Sequence, residues 1–291
     1  MTYLERKEKL LKKAGNSAFD DNEVILSNKL SRQNSKFTLE EEQLLFCILS
    51  QLDQHSINES KVHLNKAELI KKLGLEKTND KYAVLASRFQ SMMDKTYVSL
   101  RIPGLGNWNG YIISGWGSKD YSDHYTVDLY DRFMPYIEQL AGHYTSMKLD
   151  SIIQFDSKYS LDLYKYLSSW QKGTKENDDY HQMRYMSTKE LKELFGLGKD
   201  AYVRKTGKFD RYTFEQRTVE VAVREINEKV PSIRVGWDKI KQGNRIKSYW
   251  FEIIDLEKAD RITKEKTDYS SDKFKDVNGE PFDQIKIEID E

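Results

Sequence analysis

The chain has 291 residues, of which 47 are basic and 47 acidic; charged residues make up 32% and aromatics 12%, against roughly 25% charged in an average soluble protein. That length suits two domains of about 100–150 residues, and the longest apolar run, Leu44 to Leu49, is far short of the ~20 residues a membrane helix requires. Cys47 is the only cysteine, which excludes an intrachain disulfide and points to a reducing compartment.

The zero net charge hides a gradient. Residues 199–250 carry 13 Lys/Arg and 7 Asp/Glu, whereas 251–291 carry 7 and 13. A basic block beside an acidic tail suits a polyanion partner, though it also describes solvated faces and a solubilising tail.

In chain order, residues 1–36 read as a largely flexible, charged arm without the apolar stretch of a secretory signal. "TLEEEQLLFCILSQLD" (38–53) predicts a buried helix, opened by a Thr38–Glu41 capping box. A strand at 61–64 leads into a short helix over 65–73 that stops at Gly74. A longer helix over 79–95 presents Lys81, Arg88 and Lys95 away from its apolar side. "TYVSLRI" and "GYIISGW" read as strands around the glycine-rich turn "GLGNWNG", and "HYTVDLY" as another, before a short helix ending near Leu140.

The second half repeats this order. "SKYSLDLYKYLSSWQ" (157–171) is a helix and 182–186 a strand. "MSTKELKELFGL" (186–197) then matches "LNKAELIKKLGL" (64–75) at Glu190/Glu68, Leu191/Leu69, Gly196/Gly74 and Leu197/Leu75. A basic loop leads to a long helix from about 209 to 228, and two strands flank "KQGN". Helix, strand, short helix, longer helix and β-hairpin thus occur twice. The expected fold is α+β, two tandem winged-helix domains related by internal duplication. Its boundaries are 37–150 for the first domain and 151–256 for the second, with an acidic tail over 257–291 that is expected not to fold.

On the 210–226 helix, Thr213, Gln216, Arg217 and Arg224 lie opposite the apolar arc. Arg pairs bidentately with guanine and Gln with adenine in a major groove, which makes Arg217 and Gln216 candidate base readers. Glu215 falls among the apolar residues, and an irregularity near the helix start would account for it. Arg204, Lys205 and Lys208 before the helix are placed for phosphates, as are Lys239, Lys241, Arg245 and Lys247 on the hairpin. About six phosphates neutralised would give a log–log salt slope near −5. Lys81, Arg88 and Lys95 offer a thinner face in the first domain. An ordinary solvated helix face would show a similar polar arc.

Three phrases, "VILSNKLSRQNSKFTLEEEQLL", "DSKYSLDLYKYL" and "AVREINEK", resemble in order and spacing the plasmid replication initiators of the Rep_3 type, from about Val24 to Ile254. The resemblance implies two winged helices that grip double-stranded origin direct repeats (iterons), help open an AT-rich segment, and bring the host initiator and replicative helicase to it. It also implies a homodimer in equilibrium with monomer, joined through the first domain and often repressing its own gene. The implied setting is the bacterial cytoplasm, with no membrane association, cofactor or covalent chemistry. The chain departs from the family where a basic triplet is usual (Glu215-Gln216-Arg217) and where a proline is usual (Val221).

No enzymatic constellation is visible. The five histidines never pair at metal-ligand spacing, and no G-x-x-x-x-G-K-[ST] loop exists to cradle phosphates. Tyr164 and Tyr166 fall at packing positions, and Cys47 lies in an apolar helix. The chain therefore reads as a non-enzymatic DNA-binding protein; a winged-helix transcriptional repressor without origin activity is the alternative, and a DNA-nicking enzyme a third.

Overall fold

A computed structural model describes residues 23–27, 31–32, 36–51, 60–102, 106–130, 144–170, 181–243 and 245–273. The first half runs β1 (Glu23–Ser27), α1 (Leu39–Leu49), β2 (Lys61–Asn65), α2 (Lys66–Lys72), α3 (Lys81–Met93), β3 (Tyr97–Ile102), β4 (Gly106–Tyr111), β5 (Ile113–Gly117), β6 (His124–Leu129) and β7 (Tyr144–Lys148). The second runs α4 (Leu149–Ile153), α5 (Lys158–Ser168), β8 (His181–Met186), α6 (Thr188–Leu194), α7 (Arg211–Arg217), α8 (Val219–Lys229), β9 (Ile233–Gln242), β10 (Arg245–Asp255) and α9 (Leu256–Lys273). Two three-stranded antiparallel sheets, ordered β2-β6-β5 and β8-β10-β9, each join a set of helices, as two winged helices require.

Helix α1 explains how the two halves hold together. Thr38 caps it, accepting from the Glu41 N–H while the Glu41 carboxylate accepts from the Thr38 N–H. An amphipathic surface helix buries one stripe, whereas a helix buried all round lies inside a core. Every residue of α1 from Glu41 to Leu49 is buried, because α3 packs on one side and α4 and α5 lie on the other. Leu44, Cys47 and Ile48 are fully covered, and burying each such leucine or isoleucine contributes about 1.5–3 kcal/mol. The buried apolar residues of both halves form one continuous cluster.

The polar residues of α1 must find partners inside the protein. Glu41 accepts from Ser91 Oγ at 2.5 Å and from Lys95 Nζ at 2.6 Å. Gln43 donates to the carbonyls of Ile153 (3.1 Å) and Phe155 (3.0 Å), at and just past the end of α4. Glu42 enters a charged seam with α5, where Lys165 and Lys158 both donate to it and both also reach Asp162, at 3.0 and 2.8 Å. Glu42, Asp162 and Lys165 are buried. Burial raises the Glu42 pKa, but the two ammonium groups outweigh it and hold the carboxyl below its usual range. For Asp162 burial dominates and the pKa is raised. The Lys165 ammonium is held in its charged form, its pKa raised by Glu42 and Asp162 against the cost of burial.

The repeated phrase forms α2 and α6, and the two helices end in the same way. Gly74 (φ 67°) and Gly196 (φ 64°) both take the left-handed conformation. The Gly74 N–H donates to the Lys71 carbonyl and that of Leu75 to Ile70; at the matching positions Gly196 donates to Glu193 and Leu197 to Lys192. This pair of bonds satisfies the carbonyls a helix leaves open, and only glycine adopts its central conformation without strain. Leu69 and Leu191, the shared leucines, are both fully buried. The sequence match is therefore one helix-and-stop unit used twice.

Several expectations are corrected. The arm joins the fold from residue 23, because β1 pairs antiparallel with β7 and Arg32 donates from Nε to Ser169 Oγ at 2.8 Å. The boundary drawn at 150 falls inside α4, which runs unbroken to Ile153. Residues 106–110 of the supposed turn are strand β4, and "GYIISGW" divides between β4 and β5. The first domain's wing is consequently the β5–β6 hairpin. The tail begins as a helix, because Asp255 accepts from the Lys258 N–H and the Leu256 N–H is held by Ser232. The helix expected near Leu140 lies outside the described residues.

Lys165→Met removes one of the two ammonium groups that the buried Glu42 and Asp162 carboxylates share. Urea unfolding of the whole chain is expected to show a loss of about 3–5 kcal/mol; a loss under about 1 kcal/mol would mean that the seam is not a buried charge network.

Candidate nucleic-acid interface

The interface is built from the loop between α6 and α7, from α7 itself, and from the β9–β10 wing. Lys192 on α6 pins the loop by donating to the carbonyls of Lys199 (2.9 Å) and Ala201 (2.7 Å). The chain then forms a tight excursion: Val203 bridges Phe209, and the Arg204 N–H donates to the Lys208 carbonyl at 2.9 Å. Gly207 closes the turn at φ 75°. Phe209 anchors it from beneath against Phe214, with ring centroids 5.5 Å apart. Lys205, Thr206 and Lys208 are left exposed at the tip.

The tip leads directly into α7. Asp210 caps this helix by accepting from the Thr213 N–H, and it also holds the Arg204 guanidinium at 3.0 Å. Burial raises the Asp210 pKa, but the Thr213 N–H and Arg204 outweigh it and hold the carboxyl below its usual range. Arg204 therefore clasps the tip onto the helix start.

The long helix expected over 209–228 is two helices. It breaks at Thr218 (φ −121°, ψ −73°), whose hydroxyl donates to the Phe214 carbonyl at 2.6 Å. Glu215, expected to be excused by an irregularity near the start, is instead buried and paired. Tyr249 on β10 donates its hydroxyl to Glu215 Oε1 at 2.8 Å, and Lys239 on β9 reaches Oε2 at 2.5 Å. Burial and then the Glu215 carboxylate push the Tyr249 hydroxyl pKa far up. The carboxylate thus ties the helix to the wing through its two strands.

These contacts sort the sequence candidates. Gln216 and Arg217 are exposed on α7, with Thr213 half-buried beside them. Lys241 and Lys247 are exposed on the wing, whose turn carries Gly243 at φ 58°. Arg245 is paired in the hairpin with Gln242, next to that turn. Lys239 and Arg204 are engaged with Glu215 and Asp210, so they position the interface rather than stand free to meet an anion. Arg224 is exposed on α8, but Glu220 and Glu228 lie exposed one turn to either side, which cancels a positive face there. In the first domain Lys81 and Arg88 remain half-buried on α3, while Lys95 is taken by Glu41.

Two exposed tyrosines escaped the sequence reading. Tyr212, on α7, accepts a hydrogen bond from Gln216 Nε2 at 2.6 Å. Its i, i+4 spacing to Gln216 was the available signal. Tyr121, beside Lys119 in the β5–β6 turn, is fully exposed and takes φ 58°, a conformation rare outside glycine. Among the described residues no group of three or more histidines, cysteines or carboxylates could hold a metal ion, and no helix is long and apolar enough to cross a membrane.

The family described as "Initiator Replication protein, WH1" matches residues 23–168, and "Initiator Rep protein, WH2" matches residues 187–253. Among solved structures, a Pi initiator protein in complex with iteron DNA is similar at 17% identity and a TM-score of 0.62, covering 82% of this chain and 98% of that one. Domains 2 and 3 of RctB align at 12% identity and a TM-score of 0.40, over 76% of this chain and 85% of that one. No curated protein sequence matches the chain.

Lys239→Ala strips a buried carboxylate of its cation and is expected to cost about 1–3 kcal/mol in urea unfolding. Lys241→Ala, on the exposed wing, should stay within about 0.5 kcal/mol. Equal effects would contradict the positioning role of Lys239.

Proposed function

Because the chain belongs to the replication initiator proteins with paired WH1 and WH2 domains, we propose that it starts plasmid replication by binding the repeated sequences of its origin. The second winged helix lays α7 in the major groove, where Gln216 and Arg217 reach base edges and Thr213 supports them. Lys205 and Lys208 at the tip, with Lys241 and Lys247 on the wing, hold phosphates on either side. The observation that carries this reading is the placing of exposed lysines on both flanks of a short helix whose exposed face holds an arginine and a glutamine. The Pi initiator, crystallised with iteron DNA, has a related fold. Direct repeats are accordingly the DNA proposed here.

The chemistry of initiation on this reading is mechanical. Several copies bind adjacent repeats, an AT-rich segment opens, and the host initiator and replicative helicase are brought to it. The chain supplies contacts and no covalent step, and it acts in the cytoplasm. The separate β3–β4 hairpin carries the exposed pair Tyr97 and Tyr111, packed edge to face at 5.3 Å. A dimer through the first domain, as the family resemblance implies, is proposed with this pair at its interface.

With Arg204 paired to Asp210 at the surface and Lys239 to the buried Glu215, the four lysines of tip and wing give a salt slope of about −4 rather than −5. Fluorescence anisotropy on direct-repeat and scrambled DNA, at two salt concentrations, tests this directly. Arg217→Ala is expected to lose about 1–3 kcal/mol on the cognate DNA and to relax specificity. Lys241→Ala should weaken binding to both DNAs alike and lower the slope by about 1. Mutants that bind both DNAs as the parent does would exclude this docking.

A further inference from the structure

Among the described residues of the second domain, Tyr212 is the most exposed large apolar side chain, at 67%. It stands one turn before Gln216 on α7, and its hydroxyl accepts from Gln216 Nε2 at 2.6 Å. A side-chain pair at this spacing adds little to the stability of a helix. A ring left so exposed beside a candidate base reader is better accounted for by what the bond does to the amide.

A glutamine side chain free in water samples many rotamers, and fixing it on binding costs conformational entropy. The bond to Tyr212 holds the amide before DNA arrives, which is preorganisation. The hydrogen count remains favourable. The amide has two N–H hydrogens and one carbonyl oxygen. One hydrogen is given to Tyr212, and the second, with Oε1, remains for a base. Adenine offers N7 as acceptor and its N6 amino group as donor, and this donor–acceptor pair is what it needs. The tyrosine hydroxyl, having accepted, keeps its own hydrogen to donate to a phosphate or base acceptor. Arg217, next along the helix, is outside the pair and suits guanine.

We infer that Tyr212 is a specificity-setting residue: it locks Gln216 in the orientation that selects adenine at one base pair of each repeat. The inference rests on the reading that α7 enters the major groove. It assigns the two adjacent exposed residues different tasks, with Tyr212–Gln216 choosing adenine and Arg217 choosing guanine. Tyr212 acts through Gln216 and is a positioning residue, although its ring can also meet a thymine methyl group.

The test is competition binding of the full chain to direct-repeat DNA in which each base pair is varied in turn. The parent, Tyr212→Phe, Gln216→Ala and the double variant are compared, with salt slope and thermal midpoint measured for each. Tyr212→Phe keeps the ring and removes only the hydroxyl. It should lower the preference for adenine about tenfold at one position, the same position that Gln216→Ala affects, with slope and midpoint unchanged. The double variant should be no worse at that position than Gln216→Ala alone. A purely structural tyrosine would shift every position together and lower the midpoint, and that pattern would overturn the inference. Full adenine preference in Tyr212→Phe would overturn it with the proposed function intact, and unaltered preference in Gln216→Ala would overturn both it and the base contact given to Gln216, with binding to the repeats intact. A parent that does not distinguish repeat from scrambled DNA would overturn the proposed function and this inference with it.

Discussion

The buried charges between α1 and α5 are the constraint on which the arrangement of the two winged helices depends. Glu42 lies on α1, and Asp162, Lys158 and Lys165 lie on α5, the helix on which α8 of the second winged helix packs. Charges taken out of water are costly unless each finds a partner at good geometry. Sliding or rotating α1 along α5 would separate Glu42 from both ammonium groups at once. An apolar seam would tolerate such a shift, since apolar contacts are non-directional, whereas this one favours a single register. Gln43 reinforces it by donating to carbonyls at and just past the end of α4. Lys72, at the end of α2, adds an ion pair with Asp150 on α4.

A second buried carboxylate does for the interface what Glu42 does for the whole. Glu215 lies on the inward side of α7 and receives Tyr249 from β10 and Lys239 from β9. Helix and wing, the two parts that winged helices bring to nucleic acid, are thereby joined through one side chain. The break at Thr218 frees α7 to take its own direction from α8, which packs on α5. At the other end Asp210 caps α7 and holds Arg204, so the basic tip moves with the helix. Two of the second domain's cations that composition marks as DNA contacts, Arg204 and Lys239, are consequently paired with the protein's own carboxylates, and Lys205, Lys208, Lys241 and Lys247 remain exposed at tip and wing.

Much of the fold was legible because its signals are local. The capping box at Thr38 and the glycine stops at Gly74 and Gly196 need only four or five adjacent residues, and the structure contains all three. Duplication doubled the weight of the glycine stops. What escaped depends on distant partners. Tyr249 and Lys239 lie 34 and 24 positions from Glu215, so nothing near Glu215 indicates why an acid occupies an apolar arc. The break at Thr218 is hidden for the same reason, since "TFEQRTVEVAV" has continuous helical spacing. Strand β1 finds β7 across more than a hundred residues, and the start of α9 is held by Ser232, which precedes β9. In the site, Arg217 and Gln216 were identifiable from residue type and helical phase. The engagement of Arg204, Lys239 and Lys95 was not, because charge counts do not say which cations already have anions.

If the seam fixes the two winged helices as one unit, both should meet the same duplex when the chain binds. Hydroxyl-radical footprinting of the complex on direct-repeat DNA measures this at the level of single sugars. The account predicts, in each repeat, a strong protected tract from α7, the basic tip and the β9–β10 wing, with a second, fainter tract from the first domain on the same duplex. Uniform cleavage along the repeat, or protection confined to a single tract, would contradict it.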